Sequence, residues 1–234
     1  MTVLWHDRRE AGQALARLLG PWRSDPQALV LGLPRGGVVV AAELAQALEL
    51  PLASWAVRKL AHPQAPELAI GAIAPGGVEI WEPSVLSHLP HLRLDAALRQ
   101  RLLDEQRQEL RRRRLLYGDP PAPMLHGRHL LVVDDGVATG LTVRAALQSL
   151  RAAEPARLVL AVPVIDRQVS HLLRPQLDGL VALAEVEDLV AVGAWYQRFE
   201  PVEDAQVLAL LSACRRNPAS SAAAVPPMGT ADRP

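Results

Sequence analysis

Short, almost uninterrupted aliphatic runs alternate with helical segments along most of this chain, and that alternation leaves few folds open to it. "ALVLGL" (28–33), "PLASWAVRKL" (51–60), "HLLVVD" (129–134), "RLVLAVPV" (157–164) and "GLVALA" (179–184) read as strands. A strand apolar on both of its faces must be covered on both, as the strands of a parallel sheet are. Helices are expected at 7–19 (Asp7 as N-cap, Gly20-Pro21 as the stop), 38–50, 95–117, 141–153, 166–176 and 203–213. The prediction is one α/β domain, a doubly wound parallel sheet, over residues 1–212. Residues 61–83 are rich in Pro and Gly and show no clean period, so a long loop excursion is expected there. The Pro/Ala/Ser-rich stretch 213–234 has nothing to bury and is expected to be a disordered tail.

Composition narrows the function classes. Lys+Arg and Asp+Glu stand at 25 each, so no global charge draws the chain to nucleic acid or a membrane. The run Arg111 to Arg114 is an anion patch or, as the blander reading, a solvated helix face. A single cysteine, Cys214, excludes an internal disulfide and a CxxC metal site, which suits a reducing cytoplasm. "MTVLWHDRRE" has no apolar signal-peptide region, and no run approaches the roughly 18 apolar residues of a membrane span, so a soluble cytoplasmic protein is expected. The histidines have no metal-ligand spacing. Of the 25 basic residues only Lys59 is a lysine, an oddity in a chain that otherwise uses arginine throughout.

Three strand ends carry unusual polar segments: Pro34-Arg35-Gly36-Gly37, Arg58-Lys59, and Asp134 through Thr142. In open parallel sheets ligands bind beyond the carboxyl ends of the strands. In "LLVVDDGVATGLT" (130–142) two adjacent acids precede glycines and small hydroxyl residues that lead into a helix. Such a turn exposes backbone N–H groups at the positive end of a helix dipole, a cradle for phosphate. Neither Walker A nor the Gly-x-Gly-x-x-Gly fingerprint is present. The acids would repel a phosphate, so they face another part of the ligand. Two carboxylates suit vicinal hydroxyls or a hydrated Mg²⁺. A phosphate beside a diol is a ribose 5-phosphate.

"VVDDGVATGLT" resembles the phosphoribosyl-diphosphate (PRPP) binding motif of type I phosphoribosyltransferases: four hydrophobic residues, two acids, then small residues around Thr-Gly-x-Thr. "LGLPRGG" resembles the pyrophosphate loop of that family and "VRKL" its basic strand end. "GLPRGGVVVA", "PELAIGAIAPGG", "DDGVATG" and "AVGAWYQRF" further resemble a bacterial subgroup, and the likeness spans roughly residues 4 to 212.

The resemblance implies the type I fold, with a flexible lid about 61–83 and a small hood about 185–200, and a homodimer. It implies Mg²⁺ as cofactor and transfer of ribose 5-phosphate from PRPP to a nitrogen acceptor, usually a nucleobase, with release of pyrophosphate. Carried over, Asp134 and Asp135 hold the ribose hydroxyls and the metal, and with Lys59 form the catalytic set. Ala138, Thr139, Gly140, Leu141 and Thr142 cradle the 5-phosphate. Arg35, Gly36, Gly37 and Arg58 meet the pyrophosphate, and the Pro34–Arg35 peptide is expected to be cis. Trp195 and Tyr196 are candidates to stack on the acceptor; a small satellite core with Phe199 is the other reading. A PRPP-sensing regulator acting on RNA or DNA through the same pocket is the alternative function. Neutral charge and the lack of a helix-turn-helix extension favour the enzyme.

Overall fold

A computed structural model describes residues 4–86 and 93–216 of the chain. Five strands form one wholly parallel sheet: β1 (Ala28–Gly32), β2 (Leu52–Ser54), β6 (His129–Val133), β7 (Arg157–Asp166) and β8 (Gly179–Val186), in the order β2-β1-β6-β7-β8. Successive side chains of a strand point to opposite faces, and here both sets are apolar. Leu29, Leu31, Leu130, Val132, Leu158 and Leu160 enter one buried cluster, whereas Ala28, Val30, Leu131, Val133, Val159 and Ala161 enter another. Helices α1 (Arg8–Leu18), α2 (Gly36–Leu48) and α6 (Asp204–Arg216) cover the second face. Helices α4 (Leu141–Arg151) and α5 (Arg167–Leu173) cover the first. The doubly wound architecture is therefore present.

Between β2 and β6 lies a second, antiparallel sheet of β3 (Arg58–His62), β4 (Ala65–Ala74) and β5 (Val78–Trp81), followed by the long helix α3 (Ala96–Tyr117). Two sequence expectations change here. The run 51–60 is two strands, because Asp119 takes hydrogen bonds from Ser54 Oγ (2.6 Å) and Ala56 N (2.8 Å) and ends the main-sheet pairing there. The segment 61–83, expected as a loop, is mostly strand. Its alternation was hidden because both faces of β4 are buried: Ala69, Ala72 and Ala74 join the cluster under α4, while Ile70 and Ile73 pack with Leu102, Leu103 and Leu110 of α3.

The ends of α3 and α6 follow the same logic. Asp95 caps α3, and Leu103, Leu110 and Tyr117 form its buried stripe, with Ala96 left exposed. Helix α6 runs to Arg216, past the boundary expected at 212, because Val207, Leu211 and the partly buried Cys214 continue one apolar face. The remainder of the proposed tail, 217–234, lies outside the described residues. Among the described residues no helix is long and apolar enough to cross a membrane.

Candidate active site

Strand β1 pairs with β2 on one side and β6 on the other, so the chain changes direction across the sheet between β1 and β6. A crevice opens at such a reversal beyond the strands' carboxyl ends. Pro34 through Gly37 leave β1 there, with Pro34–Arg35 cis, and Asp134 and Asp135 leave β6 beside them. The two loops touch. A Cβ added to Gly36 would lie 1.9 Å from Asp135 Oδ2, and one on Gly37 would lie 2.8 Å from the Asp134 Cα. Only glycine lets the Arg35–Gly37 turn lie directly on the acid pair.

Both helices that start at this crevice begin without a side-chain cap. Helix α4 starts after Gly140 (φ +71°), where a Cβ would also lie 2.5 Å from Val169 Cγ1, and α2 starts after Arg35. Helices α1, α3 and α5 are instead capped by Asp7, Asp95 and Asp166. An uncapped first turn presents backbone N–H donors at the positive end of the helix. Ala138, Thr139 and Gly140 lead into that turn on α4 and Leu141 and Thr142 open it, with Thr139 exposed and Leu141 anchored in the core. The loop's far side is tied to β7 through Val137 N–H to Val164 O (2.9 Å) and Asp166 N–H to Val137 O (2.9 Å).

The acid pair is held from several directions. Asp135 N–H donates to Asp134 Oδ1 (2.9 Å), and Arg8 Nε donates to Asp135 Oδ2 (2.7 Å). Tyr196 Oη donates to the Asp135 carbonyl (2.6 Å). Burial, and then the neighbouring Asp135 charge, push the Asp134 carboxyl well above the usual range. Burial raises Asp135 too, but the Arg8 guanidinium opposes it. Two adjacent half-buried carboxylates with a single guanidinium on one of them favour a cation or hydroxyl donors.

The other sequence candidates are held by different partners, although Arg58 is near enough to Arg35 for their charges to interact. Arg58 and Lys59 are neighbours on β3 and so face opposite ways. Arg58 Nε meets Gln106 of α3 (2.9 Å), and Lys59 Nζ reaches the Pro66 carbonyl (3.0 Å) across the β3–β4 hairpin. They lie in the second sheet, not at a main-sheet strand end. Arg35 points toward the start of α6, 3.6 Å from Asp204 Oδ1 and 3.8 Å from Glu203 Oε2. Glu109 binds Arg112 and Arg113, and those bonds hold its carboxyl down to about 2, so the middle of the arginine run of α3 is an ion-paired helix face.

Tyr196 is not available to stack on a ligand. It is 4% exposed, lies between Trp5 (5.6 Å between centroids) and Phe199 (5.0 Å), and belongs to a small satellite core. The base-stacking role considered for it is withdrawn. Trp195 is only partly buried and borders the same cluster. The residue that sequence reasoning missed is Arg8. It reads as an ordinary first-turn position after Asp7, and no local pattern shows that it folds onto Asp135 and Glu200, 127 and 192 positions further on.

Among the described residues no three His, Cys, Asp or Glu side chains gather as a metal cage. The donor set fits a different arrangement, in which Mg²⁺ sits on one or two carboxylates and completes its shell with substrate oxygens and water. Asp134 and Asp135 would supply those carboxylates.

Fold and site together define a parallel α/β protein with two uncapped helix starts and an acid pair at the sheet's reversal point. The chain belongs to the phosphoribosyl transferase family: the phosphoribosyl transferase domain model matches residues 7–177. Two relatives from strains of Mycobacterium tuberculosis that bear the name phosphoribosyl transferase are each 41% identical over 231 residues, covering 96% of this chain and 51% of the relative. The chain thus spans about half the length of the curated relatives it matches. A crystal structure of a Thermus thermophilus protein is 39% identical, with a TM-score of 0.67, covering 89% of this chain and 97% of that one.

Proposed function

We propose that this protein binds Mg·PRPP at the crevice between β1 and β6 and transfers ribose 5-phosphate to a nitrogen acceptor, a nucleobase, releasing pyrophosphate. The observation that carries the reading is the pair of uncapped helix starts, α2 and α4, on either side of the Asp134–Asp135 pair. In this reading the backbone N–H groups from Thr139 to Thr142 take the 5-phosphate. Asp134 and Asp135 accept hydrogen bonds from the two ribose hydroxyls and would hold Mg²⁺, whose role is to neutralise charge on the departing diphosphate. The Arg35–Gly37 turn meets that diphosphate with the N–H groups that open α2.

No side chain has to act as nucleophile. C1 of the ribose loses diphosphate as the acceptor nitrogen bonds to it, and the protein contributes orientation, fixed dipoles and exclusion of water. Arg58, near enough to Arg35 for their charges to interact, would add positive charge beside the diphosphate, and Lys59 stays a candidate for the catalytic set. Trp195 remains as the one aromatic candidate beside the acceptor. The deciding experiment incubates the full chain with PRPP, Mg²⁺ and a panel of purine and pyrimidine bases and measures pyrophosphate. Release dependent on one base supports the reading. Tight PRPP binding in calorimetry with no release under any base would favour a PRPP-sensing role, and no binding would remove the site.

A further inference from the structure

Arg8 is buried to 9% exposure in the first turn of α1, and the fold commits much to keeping it there. Residues 4–6 lie alongside 195–198: Leu4 and Trp5 N–H groups donate to the Trp195 carbonyl, Gln197 N–H to Trp5 O and Arg198 N–H to His6 O. That pairing brings the start of α1 under the hood. The Arg8 guanidinium then lies 3.6 Å from the centroid of Phe199, which stacks on Tyr196. Its NH1 donates to Glu200 O (3.0 Å) while Nε holds Asp135 Oδ2 (2.7 Å). A guanidinium fixed by a ring face, a carbonyl and a carboxylate at once has little freedom left.

This arrangement gives the chain's scarce aromatic residues a purpose. Trp5, Tyr196 and Phe199 build a shelf, and the shelf carries a cation to one member of the acid pair. An ion pair serving only to dock the N-terminal segment would have no reason to end on this carboxylate, which lies against Gly36 at the reversal point of the sheet. Two bare adjacent carboxylates repel and turn apart. With Arg8 on Oδ2, Asp135 keeps one orientation before any ligand arrives.

We propose that Arg8 is a positioning residue for recognition of the ribose diol. It acts through Asp135, which it holds in the orientation that accepts the sugar hydroxyls. The proposal rests on the reading of the crevice as a ribose 5-phosphate site. It sets the diol-reading part of the pocket apart from the 5-phosphate cradle at Thr139–Thr142, with which Arg8 makes none of its hydrogen bonds.

The test uses ribose 5-phosphate, 2-deoxyribose 5-phosphate and inorganic phosphate as probes, with binding by the full chain measured in calorimetry. Wild type is expected to prefer the ribose sugar, because the deoxy sugar lacks one of the two hydroxyls. Arg8→Met keeps an apolar chain over Phe199 but removes the cation. It is expected to lose at least tenfold in ribose 5-phosphate affinity and most of the preference over the deoxy sugar, with phosphate affinity unchanged. Arg8→Lys keeps the charge but cannot reach Asp135 and Glu200 together, and should fall between the two. Equal losses for all three probes in Arg8→Met would mark a structural residue and overturn the proposal, as would an undiminished preference. Should Arg8→Met not fold, Arg8→Lys decides alone, a wild-type preference overturning the proposal. If wild type binds none of the probes, the ribose 5-phosphate reading itself fails, and this inference with it.

Discussion

At the scale of single residues, the site runs on close approach and unbalanced charge. Gly36 lies so near Asp135 that a methyl group has no room, whereas Gly20 meets nothing within 4 Å and has ordinary φ. Gly36→Ala should therefore abolish Mg·PRPP binding, while Gly20→Ala leaves both binding and stability within about 0.5 kcal/mol of wild type. Calorimetry and denaturant titration of the two variants check the contrast. Asp134→Asn removes a half-buried carboxyl that its neighbour repels. It should lose Mg·PRPP binding yet melt at the same temperature or higher, and a marked fall in melting temperature would mean that the acid pair is part of the structural frame. Tyr196 behaves as core: Tyr196→Ala should cost about 3 kcal/mol, in the range for removing a buried ring, where a stacking plate on the surface would cost little.

At the scale of elements, what could be read depended on whether an element shows its pattern locally. The aliphatic runs of β1, β6, β7 and β8 announce a parallel sheet, and "VVDDGVATGLT" announces the cradle, because strand, acids and helix start are consecutive in the chain. The second sheet was not legible. Each face of β4 meets a different helix, so small and large apolar residues follow each other without a polar beat. Nor was Arg8 legible, since its partner is 127 positions away. The second sheet also carries a prediction. Ile73 is 2% exposed between β4 and α3, so Ile73→Ala should destabilise the protein by about 2–5 kcal/mol. A change under about 0.5 kcal/mol, the size expected of an exposed site, would mean that the sheet rests only loosely on its helix.

At the scale of the whole molecule, opposing carboxyl groups set how stability depends on pH. Asp119 is half-buried where α3 ends, with Ser54 and Ala56 as partners, and its partial desolvation pushes it up to about 6. Burial raises Asp134 and Asp135 in the same direction. An acid whose folded pKa is raised binds more protons in the folded state than in the unfolded state. Between the two pKa values, falling pH therefore favours folding. For Asp119 that window runs from about 6 down toward the ordinary value of 3.8. Glu109 is the reverse case. Its bonds to Arg112 and Arg113 lower it to about 2, so its stabilisation is present above the ordinary value of 4.5 and is lost as pH falls from there. Asp204 and Asp178, lowered by Tyr117 and by the Leu158 N–H respectively, add to that loss. The unliganded protein should therefore be most stable near pH 5, melting lower at pH 7.5 and lower again at pH 3. In Asp119→Asn the gain between pH 7.5 and 5 should shrink, while the fall below pH 4 should persist. Melting temperatures recorded by circular dichroism across that range decide the matter, and a steady rise from pH 5 to 7.5 in wild type would show that the buried carboxyl groups do not govern the profile.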